Sequence, residues 1–206
     1  MPVWNALAAG DRDGSVNALA VLVISGSGRG AGKTAVGCAL IAAMPEPNWL
    51  AVKVTPHLHG VDGGLWEEED QESSTDTGRY LRAGAAHAFL ISNVSDEGIP
   101  ELLLRARDGC AEASALLVES NRVDPEMVVD RGERTVCLAV LSGPVAGWKA
   151  SLRGRMDGAD AVVLTGGLSL EELPAGVGEK VMFRLAEGQW LSPELLAFVR
   201  ERIVAF

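Results

Sequence analysis

The sequence predicts a three-layer α/β fold with a mostly parallel central sheet, on three observations. Apolar runs of strand length recur along the chain, and helical segments fall between most of them. That alternation builds a parallel sheet covered by helices on both sides. The first run, residues 18–25 (ALAVLVIS), is apolar on both faces, as a strand buried in mid-sheet must be.

The 206 residues suit one α/β domain, and a 48% hydrophobic content is enough for a substantial core. Residues 1–17 mix small apolar residues with Gly10, Asp11, Asp13 and Gly14 and read as a loose leader, leaving 18–206 as the domain. Residues 32–44 have helical spacing and are closed by Pro45 and Pro47. A second strand spans 49–54. Residues 55–74 are glycine-rich and acidic, long enough to be a functional loop. Gly60, Gly63 and Gly64 precede the acidic run 67–70, so this loop is expected to be mobile and to close over a second substrate. Trp66 would be its apolar contact or a core anchor. A helix follows over 75–83 with Gly84 as its cap. Further strands are expected at 88–91, 115–119, 136–141 and 161–165, with short ones at 127–129 and 182–185. Helices are expected around 101–106 and 147–155. Ser192 as N-cap and Pro193 at the first helical position open a last helix running to Phe206.

The formal net charge of −10 argues against a general nucleic-acid or membrane-surface binder, whose affinity rests on basic surface. The apolar runs are too short to span a bilayer, and no basic stretch precedes an apolar core at the N-terminus. Cys38, Cys110 and Cys137 are widely spaced and odd in number, which predicts free thiols in a reducing compartment, the cytoplasm.

The segment GSGRGAGKT, residues 26–34, follows the first strand and opens the first helix. Glycines let a backbone wrap an anion with its N–H groups, and the helix directs its positive dipole end at the same point. This is the layout of a P-loop. Gly28, Arg29, Gly30, Ala31, Gly32, Lys33 and Thr34 are the expected nucleotide-binding residues. Lys33 would reach the terminal phosphates and the Thr34 hydroxyl would complete a Mg²⁺ shell. Arg29, at mid-loop, fits either a phosphate contact or solvent. Where the usual pattern opens with Gly this chain has Ser27, with Gly26 one step earlier.

Such a loop needs a carboxylate at the end of another core strand to hold the metal. Glu119 ends the run ALLVE, at the sheet edge where ligands bind in open α/β folds. Asp76, at the start of the helix after the long loop, fits a metal ligand or an acid complementing the helix dipole. Asp62 is a weaker candidate of the same kind. His57 and His59, two apart, fit contacts to a second substrate or a structural role, with no third ligand spaced for a metal. His87, opening a strand, reads as structural.

With these residues in place the chain resembles the MobB family (molybdopterin-guanine dinucleotide biosynthesis protein B), within the class of P-loop proteins that includes dethiobiotin synthetase. Four segments carry the resemblance: the P-loop; residues 51–59 (AVKVTPHLH), similar to a family stretch of Lys, Thr and paired His; residues 75–86 (TDTGRYLRAGAA), like its Asp-Ser start and Ala-Gly-Ala finish; and residues 116–120 (LLVES), like its Val-Glu-Gly strand end. The resemblance implies GTP or ATP with Mg²⁺ on residues 28–34, Glu119 near the metal, and Lys53, His57 and Asp76 around the same cleft. It also implies an accessory role beside the molybdenum-cofactor enzyme that attaches a guanine nucleotide to molybdopterin, often as a homodimer. The spacing of Gly26 from Gly32-Lys33-Thr34 is similar to that of dethiobiotin synthetase and the cobyrinic acid amidases as well.

Three functions therefore fit the sequence: a MobB-like accessory NTPase, an ATP-dependent small-molecule ligase or kinase, and a nucleotide-gated binding module without turnover. The Asn-Lys-x-Asp guanine signature does not occur, and Thr165, Gly166 and Gly167 are the expected base contacts by position alone.

Overall fold

The computed structural model describes residues 19–56, 63–128, 133–168 and 170–204. The expected leader, His57, His59 and Asp62 lie outside the described residues.

Strand β1 (Ala20–Gly26) is buried at all seven positions, so its two faces sort into two separate cores. Leu22 and Ile24 pack with Val36, Leu40 and Ile41 of helix α1 (Lys33–Ala43) and with Leu195 and Val199 near the C-terminus. Val21 and Val23 lie in a second cluster with Ile99 and Leu103 on the opposite face. Alternation along one strand thus feeds both outer layers, and each fully buried Leu, Ile or Val contributes about 1.5–3 kcal/mol.

β1 is flanked by β5 (Ala115–Glu119) and β6 (Arg134–Leu141), both parallel to it. Outside these lie β2 (Trp49–Thr55) and β4 (His87–Ser92) on one side, β7 (Ala161–Leu164) and β8 (Val181–Arg184) on the other. With β3 (Gly64–Glu68) the order is β3-β4-β2-β5-β1-β6-β7-β8, every pair parallel except β3–β4. Helix α2 (Asp76–Arg82) and helix α5 (Pro193–Ile203) share the α1 face, whereas α3 (Ile99–Asp108) and α4 (Ala150–Met156) cover the other. The three-layer α/β fold expected from the sequence is what the chain adopts.

The local signals behave as their chemistry requires. Ser192 caps α5 by accepting from Leu195 N–H, with Pro193 at the first helical position. Thr75 caps α2 by accepting from Gly78 N–H, and Gly84 leaves that helix at φ 108°. The three cysteines are free thiols, Cys110 buried and the other two partly so. Burial pushes the thiols of Cys38 and Cys110 up to about 11 and that of Cys137 to about 12.

Three expectations need correction. The stretch 55–74 is not one open loop, because residues 64–68 form β3, antiparallel on β4. In its acidic run Glu67, Glu69 and Asp70 are exposed; Glu67 also meets His87, and Glu68 accepts from the hydroxyls of Thr75 and Thr77 at the start of α2. Trp66 sits on this edge strand, 42% exposed, and is not a core anchor. Of the short strand expected at 127–129, Met127 and Val128 are not strand: Pro125–Met127 form a 3₁₀ turn and Val128 N–H donates back to Pro125 O, while residue 129 lies outside the described residues. The helix expected over 147–155 is split, with a 3₁₀ turn at Val145–Gly147 ahead of α4.

Candidate functional site

Parallel strands bring their C-terminal ends to one edge of the sheet, and there the loop after β1 meets the ends of β2, β5, β6 and β7. Gly26 is closed in on every side. A Cβ on it would lie 2.6 Å from Val140 O and 2.9 Å from the Lys33 stem. Its N–H donates to Asn121 Oδ1 and its carbonyl accepts from Asn121 Nδ2, both at 2.8 Å. Ser27, the departure from the usual glycine, uses its side chain. Its Oγ donates to Ser142 O at 3.1 Å and accepts from Ser142 N–H at 3.0 Å. Thr165 Oγ1 donates to Ala31 O at 2.9 Å, which ties the far end of the loop to β7. Gly32 stands at φ 96°, and a Cβ there would meet the Trp190 ring at 2.5 Å. Lys33 crosses the loop to donate to Gly28 O at 2.7 Å. Burial pushes the Lys33 ammonium down, and nearby Lys53 and Lys149 add to this against the opposing pull of Glu119 and Asp76.

The acidic side of the site centres on Glu119, only 2% exposed at the end of β5. Its Oε2 accepts from Thr34 Oγ1 at 2.7 Å and from Tyr80 Oη at 2.6 Å. Its Oε1 accepts from Lys53 Nζ at 2.7 Å. Lys53, alone among the residues of β2 in not being buried, also donates to Asp76 Oδ2. Burial alone would lower Lys53, but the Glu119 charge and the two carboxylate hydrogen bonds win and hold it above the usual lysine range. Burial likewise opposes ionisation of Asp76, yet the Lys53 ammonium, helped by Arg79, outweighs it and holds that carboxyl below its usual range. The Tyr80 phenol is driven far up by complete burial and then by Glu119, so it is a permanent donor.

These groups border a cleft of about 760 Å³ that runs from Gly28, Arg29 and Lys33 past Lys53, Asp76 and Glu119 to Thr55, Arg122, Lys149 and Ser151. A second cavity of about 470 Å³ lies at the ends of β7 and β8, lined by Gly166, Gly167, Leu168 and residues 184–187. Of the expected site residues, the structure brings together the loop, Lys53, Asp76 and Glu119. Gly166 and Gly167 line the second cavity instead. The chemistry of the donors fits a hard dication: two carboxylates and the Thr34 hydroxyl, all oxygen. Among the described residues no group of three or more His, Cys, Asp or Glu is set to hold a metal unaided. Phosphate oxygens and water would have to complete the shell, as Mg²⁺ prefers.

Sequence reasoning missed Tyr80 and Asn121. Tyr80 lies four residues after Asp76, hence on the same helix face, and Asn121 two after Glu119. Both spacings were available as signals.

No protein-family model and no curated protein sequence matches the chain. Solved structures do. HypB from Helicobacter pylori, in complex with nickel, superposes with a TM-score of 0.55 at 16% identity, over 91% of this chain and 86% of that one. The hydrogenase maturation factor HypB from Archaeoglobus fulgidus gives 0.54 at 16%, over 89% and 90%. At such identity the likeness shows the fold, that of the P-loop NTPases. No helix among the described residues is long and apolar enough to cross a membrane.

Proposed function

We propose that this protein binds a nucleoside triphosphate with Mg²⁺ on residues 28–34, and that the metal is held by Thr34, Glu119 and Asp76. One observation carries the reading. The Thr34 hydroxyl gives its only hydrogen to Glu119 at 2.7 Å, so its lone pairs remain for a cation beside the Lys33 ammonium. Lys53 Nζ, between the two carboxylates, occupies the kind of position a cation takes there. Mg²⁺ would supply charge neutralisation of the phosphates. Lys33 neutralises the terminal phosphate, the loop N–H groups orient it, and Lys53, once parted from the acids, can face an acceptor. The base would lie in the cavity at Gly166 and Gly167, with the Thr165 side chain committed to the loop.

Within this class we favour a MobB-like accessory NTPase of molybdenum-cofactor maturation, serving a cofactor enzyme as partner, as a homodimer. The support is the Lys53-containing strand and the 75–86 segment, both of which converge on Glu119. A second reading, a small-molecule ligase or kinase of the dethiobiotin synthetase type, is favoured by the cleft itself. It extends beyond the loop to Thr55, Arg122, Lys149 and Ser151, leaving room for an acceptor. Calorimetric titration of GTP and ATP with and without Mg²⁺ tests the class: binding of at least one, strengthened by Mg²⁺, is expected. Absence of binding to either would overturn it. Turnover that requires an added small acceptor would then select the ligase or kinase over the accessory NTPase.

A further inference from the structure

Among the described residues, Tyr80 is the one buried titratable group beside the cleft that nucleotide binding leaves unexplained. Its side chain is fully buried, and burying a phenol costs free energy unless the hydroxyl is paired. The pairing chosen is not a backbone carbonyl but the carboxylate of Glu119, at 2.6 Å. To make it, the ring crosses helix α1 at Gly37, where an added Cβ would lie 3.0 Å from Tyr80 Cε1 and 3.3 Å from its hydroxyl. Helix α1 thus gives up a side chain at the one place where Tyr80 passes.

The hydrogen-bond inventory says what this contact does. Glu119 Oε2 takes two donors, Thr34 and Tyr80, whereas Oε1 takes only Lys53. An oxygen holding two neutral hydroxyl donors is anchored, and the carboxylate cannot rotate without breaking both bonds. Oε1 is therefore the oxygen turned toward Lys53 and the cleft. Lys53 is exchangeable for another cation; Tyr80, which has no acidic neighbour but Glu119 within hydrogen-bond reach among the described residues, is not.

We infer that Tyr80 is a positioning residue of the metal site: it fixes Glu119 so that Oε1 is presented to the cation accompanying a bound triphosphate. The inference rests on the proposed Mg²⁺–nucleotide reading and deepens it. Tyr80 also starts from α2, whose first residue is Asp76, so one helix carries both the second carboxylate and the group that orients the first.

The test is Tyr80→Phe, titrated with Mg²⁺ at fixed triphosphate and compared with the parent chain. The Mg²⁺ concentration for half-maximal binding should rise about tenfold, while triphosphate affinity in the presence of a chelator stays unchanged. A merely structural tyrosine would shift the melting temperature and leave the Mg²⁺ midpoint alone. Gly37→Ala, which presses on the ring without removing the hydroxyl, should raise the Mg²⁺ midpoint in the same direction. Because Tyr80 is the only tyrosine in the chain, 3-fluorotyrosine incorporation gives a single ¹⁹F resonance. That resonance should move on addition of Mg²⁺ to the nucleotide complex and not on addition of nucleotide with chelator. Equal Mg²⁺ midpoints for the parent and both variants, with an unmoved ¹⁹F signal, would overturn the role of Tyr80 alone. Failure of the parent to bind triphosphate with Mg²⁺ at all would overturn the nucleotide reading, and this proposal with it.

Discussion

Replacing Lys53 by Met tests the charge balance of the site in the absence of any ligand. Met keeps most of the apolar stem and removes the ammonium from between two carboxylates. The Glu119 side chain is 3% exposed and that of Asp76 36%, so the two acids lose their shared cation to different degrees. Removing one partner of a fully buried pair costs about 3–5 kcal/mol. Glu119 keeps the hydroxyls of Thr34 and Tyr80, and Asp76 keeps Arg79 and access to water, which brings the expected loss to about 2–3 kcal/mol. For a chain of this size each kcal/mol moves the melting temperature by about 2–4 °C, so a fall of roughly 4–12 °C is expected. The acid limb should change too. In the parent chain Lys53 holds the Asp76 carboxyl below its usual range. That contribution is fully present above the unfolded value near 3.9 and is lost as pH falls through the lower folded value, so Lys53→Met should flatten this limb. Thermal unfolding followed by circular dichroism at low salt, with and without millimolar Mg²⁺, reads both effects, and Mg²⁺ should recover more stability in the variant than in the parent. A variant melting within about 2 °C of the parent in the absence of Mg²⁺ would refute the account of Lys53 as the cation balancing these acids.

Lys33→Ala should weaken triphosphate binding at least tenfold, about 1.4 kcal/mol, and diphosphate binding less, as read by calorimetry; equal triphosphate affinity would place the site elsewhere. Gly26→Ala sets a methyl 2.6 Å from a backbone carbonyl, which cannot turn aside as a flexible side chain would. A loss of roughly 1–3 kcal/mol in denaturant unfolding, together with weaker nucleotide binding, is expected. His87 lies between Glu67 and Glu112, and the Glu67 hydrogen bond, opposed by burial and aided by Glu112, raises it. Its contribution is complete below the ordinary value near 6.5 and fades as pH rises through the folded value. His87→Gln should therefore destabilise by at most about 1 kcal/mol at pH 5.5 and by less at pH 8.5, and a larger effect at the higher pH would contradict the ion pairs.

What could be read from the sequence was whatever short-range chemistry dictates. Residues 18–25 read as a buried strand because no residue in them has a polar side chain until Ser25. The loop read as a phosphate site because its glycines stand between that strand and a helix. Glu119 was legible from the four apolar residues before it, and the caps at Gly84 and Ser192 from their residue types. The edge strand β3 was not legible. Gly64-Leu65-Trp66-Glu67-Glu68 carries acids where strands usually have apolar or β-branched residues, and its pairing comes from β4, twenty or more residues further along. Nor could local pattern reveal Lys53 between Asp76 and Glu119, since that cluster joins three elements across 66 residues of chain. A charged residue inside an otherwise apolar strand was the visible part of it. Asn121 and Ser142, which grip the start of the loop, are ordinary turn residues by type, and only the meeting of strand ends gives them work.

That grip has a kinetic and energetic meaning of its own. Residues 26 and 27 are held by Asn121, Ser142 and Val140, and residue 31 by Thr165, so only three residues between them, 28–30, are not tethered by these contacts. Ordering a backbone residue costs about 1–2 kcal/mol, and here most of the loop has met that cost during folding. A phosphate bound there as proposed would meet a shaped receptacle, and its association should be limited by diffusion and charge more than by rearrangement. The anchors come from the ends of three strands, β5, β6 and β7, so the shape of the receptacle inherits the rigidity of the sheet's centre. Damage to the register of β6 or β7 would reach the loop through these anchors.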